Sequence, residues 1–378
     1  ILFISLTALL SGVLNALGRF AAAAAAPVLL NVIFISAMAL GALAGWDMGL
    51  TLAWSVPVAG LAQVALVWRA AARAGYRLVP ARPRWTPELK RLLIVAAPAA
   101  LAGGVVQVNL LVGRQVASFF DGAIAWLNYA DRLYQLPLGV VGIAIGVVLL
   151  PDLSRRLAAG DGAGGRDSLS RAGEVALALT VPASVALLVI PMPLVEVLFG
   201  HGAFTADDVA ATAIAVQIYG LGLPAFVLQK VLQPVYFARE NTRTPFLFAL
   251  VSLVVNAGVA IGLAPLIGFT AAAFGTTLAG WAMVALLWVG TARMGPATRF
   301  DRRFWSRLWR IGLASWAMGF VVWGLSVVLQ PLLGTPGLDV LALAVLVIGG
   351  AASYFAIAQA IGAVRLGEIR GAMRRGRG

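Results

Sequence analysis

The chain is a succession of eleven apolar segments, at 1–17, 27–44, 50–68, 92–113, 123–150, 175–199, 209–228, 246–263, 269–289, 311–329 and 338–364. Each is long enough to cross a hydrocarbon layer roughly 30 Å thick, which takes about 17 to 25 helical residues. A soluble domain could not bury so much apolar surface. The composition agrees: 61% of the 378 residues are hydrophobic and 11% charged, against roughly 25% charged in soluble domains. The pattern predicts an all-α, polytopic membrane protein with eleven transmembrane helices. Internal prolines at 57, 98, 137, 182 and 224 are compatible with that, because neighbouring helices can satisfy the backbone groups that a proline frees.

Charge then orients the segments. Alternate connections hold 26 of the 28 basic residues, and the other connections hold none. The basic set comprises Arg19; a group from Arg69 to Arg91; Arg155, Arg156, Arg166 and Arg171; Lys230, Arg239 and Arg243; a group from Arg293 to Arg310; and the tail from Arg365. Basic connections stay on the cytoplasmic side, so the C-terminus is expected there. The basic loop serves as a topology signal, with the gathering of anionic headgroups as the alternative. A net charge of +13 does not point to nucleic acid when the cations are dispersed between membrane segments. Without cysteine there is no disulfide framework and no thiolate metal site.

Arg114 and Arg132 are the two cations that this topology does not assign to the inner face. Arg114 ends a long apolar run, where it either snorkels to the outer interface or lines a cavity mouth. Arg132 lies about nine residues into its segment, roughly 13 Å deep at the helical rise. A cation there is costly and marks a functional site by default. Two arrangements are open: a closed ion pair within the bundle, or a water-filled cavity in which Arg132 attracts an anion. At helical spacing Asn128, Asp131, Arg132, Gln135, Gly139, Gly142 and Gly146 form one stripe, while Leu133, Leu136, Val140, Ile143, Val147 and Leu150 are expected to point elsewhere. Asp131 and Arg132 diverge by about 100°, so Asp131 is expected to orient or neutralise while Arg132 faces the ligand.

Other polar residues have plainer roles. His201 is expected to be solvated and Glu196 interfacial, and Asn15, Gln63, Gln107, Asn109 and Asn256 to join helices by hydrogen bonds. The motifs of zinc peptidases, serine hydrolases and phosphate-binding loops do not occur, and one histidine without cysteine leaves little for catalysis. The chain therefore does not read as an enzyme, and no cofactor is implied. Any transport would draw on an ion gradient, the membrane potential or the substrate's own gradient.

The chain opens at Ile1 within an apolar run, so N-terminal helices are expected to be missing. An internal echo supports this: the stretch after Arg19 and the stretch after Arg239 each give an inner loop with Arg and Pro, then a helix carrying Asn. A six-helix repeat with that offset predicts three further helices before Ile1, fourteen in all, a plan common among transporters.

ADRLYQLPLGVVGIAIGVVLLPDLSR (130–155), LNALGRFAAAAAAPVLLNVIFI (14–35), FGHGAFTADD (199–208) and YFARENTRTP (236–245) together resemble the MurJ/MviN family, lipid II flippases of the multidrug/oligosaccharidyl-lipid/polysaccharide exporter superfamily. The resemblance covers essentially the whole chain. It implies a two-lobed bundle around a central cavity, in which 1–72 is the remainder of the N-terminal lobe, 73–91 a basic inter-lobe loop, 92–292 the C-terminal lobe, and 293–378 two extra helices and a basic tail. It implies export of the undecaprenyl-diphosphate-linked peptidoglycan precursor from the inner to the outer leaflet of the bacterial cytoplasmic membrane. Asp131 and Arg132 match the family's cavity-facing pair on the eighth helix, whereas the motif assigns no firm counterpart to Arg114. The candidate substrate-binding set is Arg132, Asp131, Arg114, Asn128 and Gln135. Implied partners are the lipid precursor, membrane lipids, a coupling ion or the membrane potential, and cell-wall synthesis proteins.

Competing readings are an exporter of another polyprenyl-linked saccharide or of drugs, a prenyl-phosphate enzyme, and a non-transporting cell-wall scaffold. A drug antiporter needs buried carboxylates, and Asp131 is the one placed well inside a span. A prenyl-phosphate enzyme needs acidic metal ligands or a catalytic histidine, and neither arrangement is present.

Overall fold

A computed structural model describes residues 2–76, 85–158, 160–239, 241–295, 298–335 and 337–364, leaving aside the side chains of 88, 92–103, 106, 143–154, 157 and 158. Much of the basic loop, Arg77, Arg82 and Arg84 included, lies outside the described residues, as do the tail arginines from Arg365 and the surroundings of Gly146. The described residues form thirteen helices and no strand: α1 (Leu2–Ala16), α2 (Phe20–Ala44), α3 (Met48–Arg73), α4 (Pro87–Ala117), α5 (Ala123–Ala158), α6 (Gly162–Val189), α7 (Pro191–Phe199), α8 (Ala206–Phe237), α9 (Arg243–Ile267), α10 (Thr270–Ala292), α11 (Arg302–Val328), α12 (Gln330–Leu333) and α13 (Asp339–Ala360).

Each apolar segment coincides with a helix, α7 takes the end of the segment at 175–199, and α12 is a short addition. Among the described residues eight helices, α2, α3, α6, α8, α9, α10, α11 and α13, are by themselves long and apolar enough to cross a membrane. The segment at 175–199 is not one helix. It breaks at Ile190, and Pro191 starts α7, a position where its missing N–H costs nothing. Several helices also outrun their apolar segments. Arg155 and Arg156 sit in the last turn of α5, and Arg166 and Arg171 lie within α6, so part of what reads as loop is helix.

All five prolines named above lie inside helices. Two show how a helix accommodates the lost hydrogen bond. Pro182 cannot donate to the Ala178 carbonyl, and the Tyr354 hydroxyl of α13 donates to it instead at 2.6 Å. Pro224 frees the Gly220 carbonyl, which accepts from Ser184 Oγ of α6 at 2.5 Å, while the neighbouring Leu221 carbonyl accepts from Trp281 Nε1 of α10 at 3.0 Å.

By packing, the chain divides into two compact units, Ile1–Lys90 and Arg91–Gly378. In the first, α3 lies against both α1 and α2, Leu10, Leu14 and Val67 are fully buried, and Gln63 Nε2 donates to the Ala26 carbonyl at 2.8 Å. In the second, α8 is the hub, packed against α5, α6, α7 and α10. Hydrogen bonds from side chains to carbonyls stitch α10 to it: Tyr236 to Leu287 at 2.9 Å, Thr277 to Ile218 at 2.9 Å and Gln229 to Gly280 at 3.1 Å. Such bonds matter within a bilayer, where apolar burial gives helices little reason to prefer one another over lipid.

Candidate functional site

One face of α5 is built to pack. Ala123, Leu127, Ala130, Leu133 and Val141 recur at helical spacing and are buried in the core of the second unit. They lay α5 parallel to α8. The two helices are joined along their length by three contacts. Near the starts of the two helices Trp126 Nε1 donates to Asp208 Oδ1 at 2.6 Å, and midway the Tyr134 ring lies 5.0 Å from Tyr219 and 5.4 Å from Phe226. Further in, Gly142 of α5 meets the side chain of Lys230 of α8.

Asp208 also closes a capping box with Thr205 at the start of α8. One carboxylate thus fixes the beginnings of two helices. The Thr205–Asp208 spacing is a readable helix-start signal, but its bond to Trp126 is not. Tyr129 adds to this end by meeting Phe199 at a tilt, ring centroids 4.8 Å apart, and Phe204 edge-on at 5.2 Å.

The opposite face of α5 is exposed and carries the sequence-derived site. Asn128, Arg132, Gln135 and Gly139 are exposed, and Asp131 is half-buried. Arg132 has no ion pair or hydrogen bond among the described residues. Its charge is therefore not spent inside this unit. Asp131 instead accepts a hydrogen bond from Gln135 one turn on, and Tyr134 and Tyr219 lie within electrostatic reach of it. Asn128 makes no described side-chain hydrogen bond. Arg114 is exposed in the last turn of α4, and no hydrogen bond or ion pair links it to the other four.

Two residues assigned elsewhere belong to this side. Leu136 and Val140 are 69% and 67% exposed. Four and eight residues after Arg132, they turn only about 40° and 80° from it at 100° per residue, so the exposed face combines a cation with apolar surface. Lys230, grouped with the inner connections on sequence, lies inside α8. Val231, Leu232, Val235 and Tyr236 continue the helix beyond it, all 0% exposed.

Two other polar clusters hold the unit together. Glu174 of α6, only 5% exposed, pairs with Arg171 at 2.5 Å and with Arg307 of α11 at 2.8 Å, with Arg303 at 3.9 Å. Arg171 reaches Asp301, the N-cap of α11, at 2.5 Å and Asp167 at 3.1 Å. Glu174 was not singled out in the sequence, although its i, i+3 spacing from Arg171 is a signal for a helical ion pair. Asn256, fully buried on α9, donates to the carbonyl and the side-chain oxygen of Asn109 on α4 at 3.2 and 2.5 Å. Asn109, Asn256 and Gln63 thus join helices as their residue types suggest. No group of three His, Cys, Asp or Glu side chains converges among the described residues in the way a metal ion needs.

The family model for lipid II flippase MurJ matches residues 1–348. The chain is 42% identical over 378 residues to a probable lipid II flippase MurJ of Rhizobium meliloti (strain 1021), covering 98% of this chain and 70% of that protein. It is likewise 42% identical over 380 residues to one of Rhizobium tropici, covering 99% of this chain and 71% of the relative. Among solved structures it is similar to lipid II flippase MurJ in an inward closed conformation, with a TM-score of 0.74 and 24% identity over 94% of this chain and 70% of the other, a likeness of fold. From the span of the family match and the identity to these relatives, the chain belongs to the lipid II flippase MurJ family.

Proposed function

We propose that this protein carries lipid II from the inner to the outer leaflet of the bacterial cytoplasmic membrane by alternating access, with its C-terminus in the cytoplasm. The observation that supports this most directly is Arg132. It lies within an apolar segment, on an exposed face of α5, and no carboxylate among the described residues claims it. An uncompensated guanidinium is expensive inside a bilayer, and a diphosphate headgroup offsets that cost on binding. Arginine suits the task because it stays charged and offers a forked set of donors to phosphate oxygens. Asp131, held by Gln135, trims the local charge and orients the stripe without claiming Arg132. Leu136 and Val140 beside Arg132 give the polyprenyl chain apolar surface to lie against. Asn128 offers a further hydrogen-bonding side chain one turn out, and Arg114 a second cation at the outer end of α4.

In this reading, residues 92–292 form the carrier's C-terminal lobe, 1–72 belong to its N-terminal lobe, 73–91 join the lobes, and 293–378 contribute the flanking helix pair and tail. The headgroup is moved and not chemically altered, and the energy comes from an ion gradient or the membrane potential. The test is full-length protein in vesicles with labelled lipid II. Translocation should occur with intact headgroups; hydrolysed headgroups, or no movement above protein-free vesicles, would overturn the reading.

A further inference from the structure

Lys230 is one of only two lysines in the chain, and its place is unusual. Eight apolar residues follow Gly142 before the polar end of the α5 segment at Pro151 and Asp152, so the level at which Lys230 meets α5 is about 12 Å inside that end. A methyl group built on Gly142 would stand 3.2 Å from Lys230 Cδ, 3.4 Å from Cε and 3.9 Å from Nζ. The lysine stem therefore lies close against α5 at Gly142, where a side chain would press on its flexible end. Gly142 falls on the same stripe as Asn128, Arg132, Gln135 and Gly139, ten residues or about 15 Å inward from Arg132. Lys230 is exposed and, like Arg132, has no hydrogen bond or ion pair among the described residues.

We propose that Lys230 is a second binding residue for the diphosphate headgroup, placed at the inner end of the polar face that Arg132 serves further out. The inference rests on the flippase reading and deepens it. A headgroup arriving from the inner leaflet meets Lys230 first. An ammonium on a flexible stem is a mobile point charge that can accompany the headgroup, whereas the forked guanidinium of Arg132 fixes its orientation. Two cations one above the other divide the crossing into two short transfers, each keeping the phosphate charge compensated in a poorly polarisable surrounding.

The experiment uses full-length protein in lipid II vesicles, with wild type, Lys230→Gln, Lys230→Arg and the double variant Lys230→Gln, Gly142→Lys. Losing one charge-assisted contact should slow translocation about tenfold in Lys230→Gln. Lys230→Arg should stay within about threefold of wild type. The double variant, which returns a cation to the same level from the other helix, should recover a substantial part of the rate. Thermal melting in detergent confirms that each variant is folded. Wild-type movement with Lys230→Gln equally fast removes Lys230 from the path and leaves the flippase reading standing. A slow Lys230→Gln that neither Lys230→Arg nor the double variant improves also overturns the proposal, because the lysine then acts through packing. If wild type itself moves no lipid II, the flippase reading fails and takes this inference with it.

Discussion

Around Glu174, three arginines and three carboxylates of α6 and the start of α11 close on one another, whereas Arg132 on α5 and Lys230 on α8 have no such partner among the described residues. Both regions place charge on membrane helices of the same unit. In the first, the charges are consumed by structure: Arg171 spans Asp167, Glu174 and Asp301, and the Asp301 backbone N–H donates to Ser170 at 3.0 Å. In the second, α5 turns its packing residues to α8 and leaves its cation outward. Counting charges does not separate the two cases, but the presence or absence of a partner does.

The comparison is sharpest if each region fails in its own way. The largest effect on stability should come from Glu174→Ala. Glu174 is the nearly buried carboxylate that Arg171, Arg303 and Arg307 share, and its removal costs about 1.5 to 3 kcal/mol, the worth of charged hydrogen bonds, since Arg171 keeps Asp167 and Asp301. The melting midpoint in detergent should fall by several degrees, and an unchanged midpoint would mean that the cluster does not hold α6 to α11. Arg132→Ala should do the reverse. With a charged contact to the headgroup worth about 1.5 to 3 kcal/mol, translocation should drop roughly ten- to a hundredfold while the melting midpoint stays put. A destabilised but active Arg132→Ala would place Arg132 among the structural charges and dissolve the contrast.

Two smaller changes probe each side further. Tyr354→Phe removes the donor to the carbonyl that Pro182 frees, leaving it unsatisfied at a cost of about 1 kcal/mol or more, visible in melting and not in transport per folded molecule. Ser184→Ala at the Pro224 site is the matching control. The mildest expected change is Gln135→Ala. It releases Asp131 to swing toward Arg132, and a hydrogen bond of about 1 kcal/mol implies a fall in translocation of a few-fold with no stability loss. Faster translocation in Gln135→Ala would show that Asp131 does not compete for Arg132.

The apolar helices were legible in the sequence because a membrane span is a property of a contiguous run. Bilayer thickness sets its length, and no distant residue needs to be known. The same local logic placed Arg132 deep in its segment and put Asn128, Gln135 and Gly139 on its side of α5. Tertiary structure decided what depends on which helix lies beside which. The break at Ile190, the lodging of Lys230 against Gly142 and the closure of three arginines on Glu174 required α6, α8 and α11 to be in place. So did the rescue of Ala178 by Tyr354, 176 residues away. Leu136 and Val140 show the limit on α5 itself: sequence set their angle from Arg132, but only the packing against α8 fixed which side of the helix would be covered. Hydrophobic run length is read along one dimension, whereas the satisfaction of a buried charge or a freed carbonyl depends on partners brought together in three.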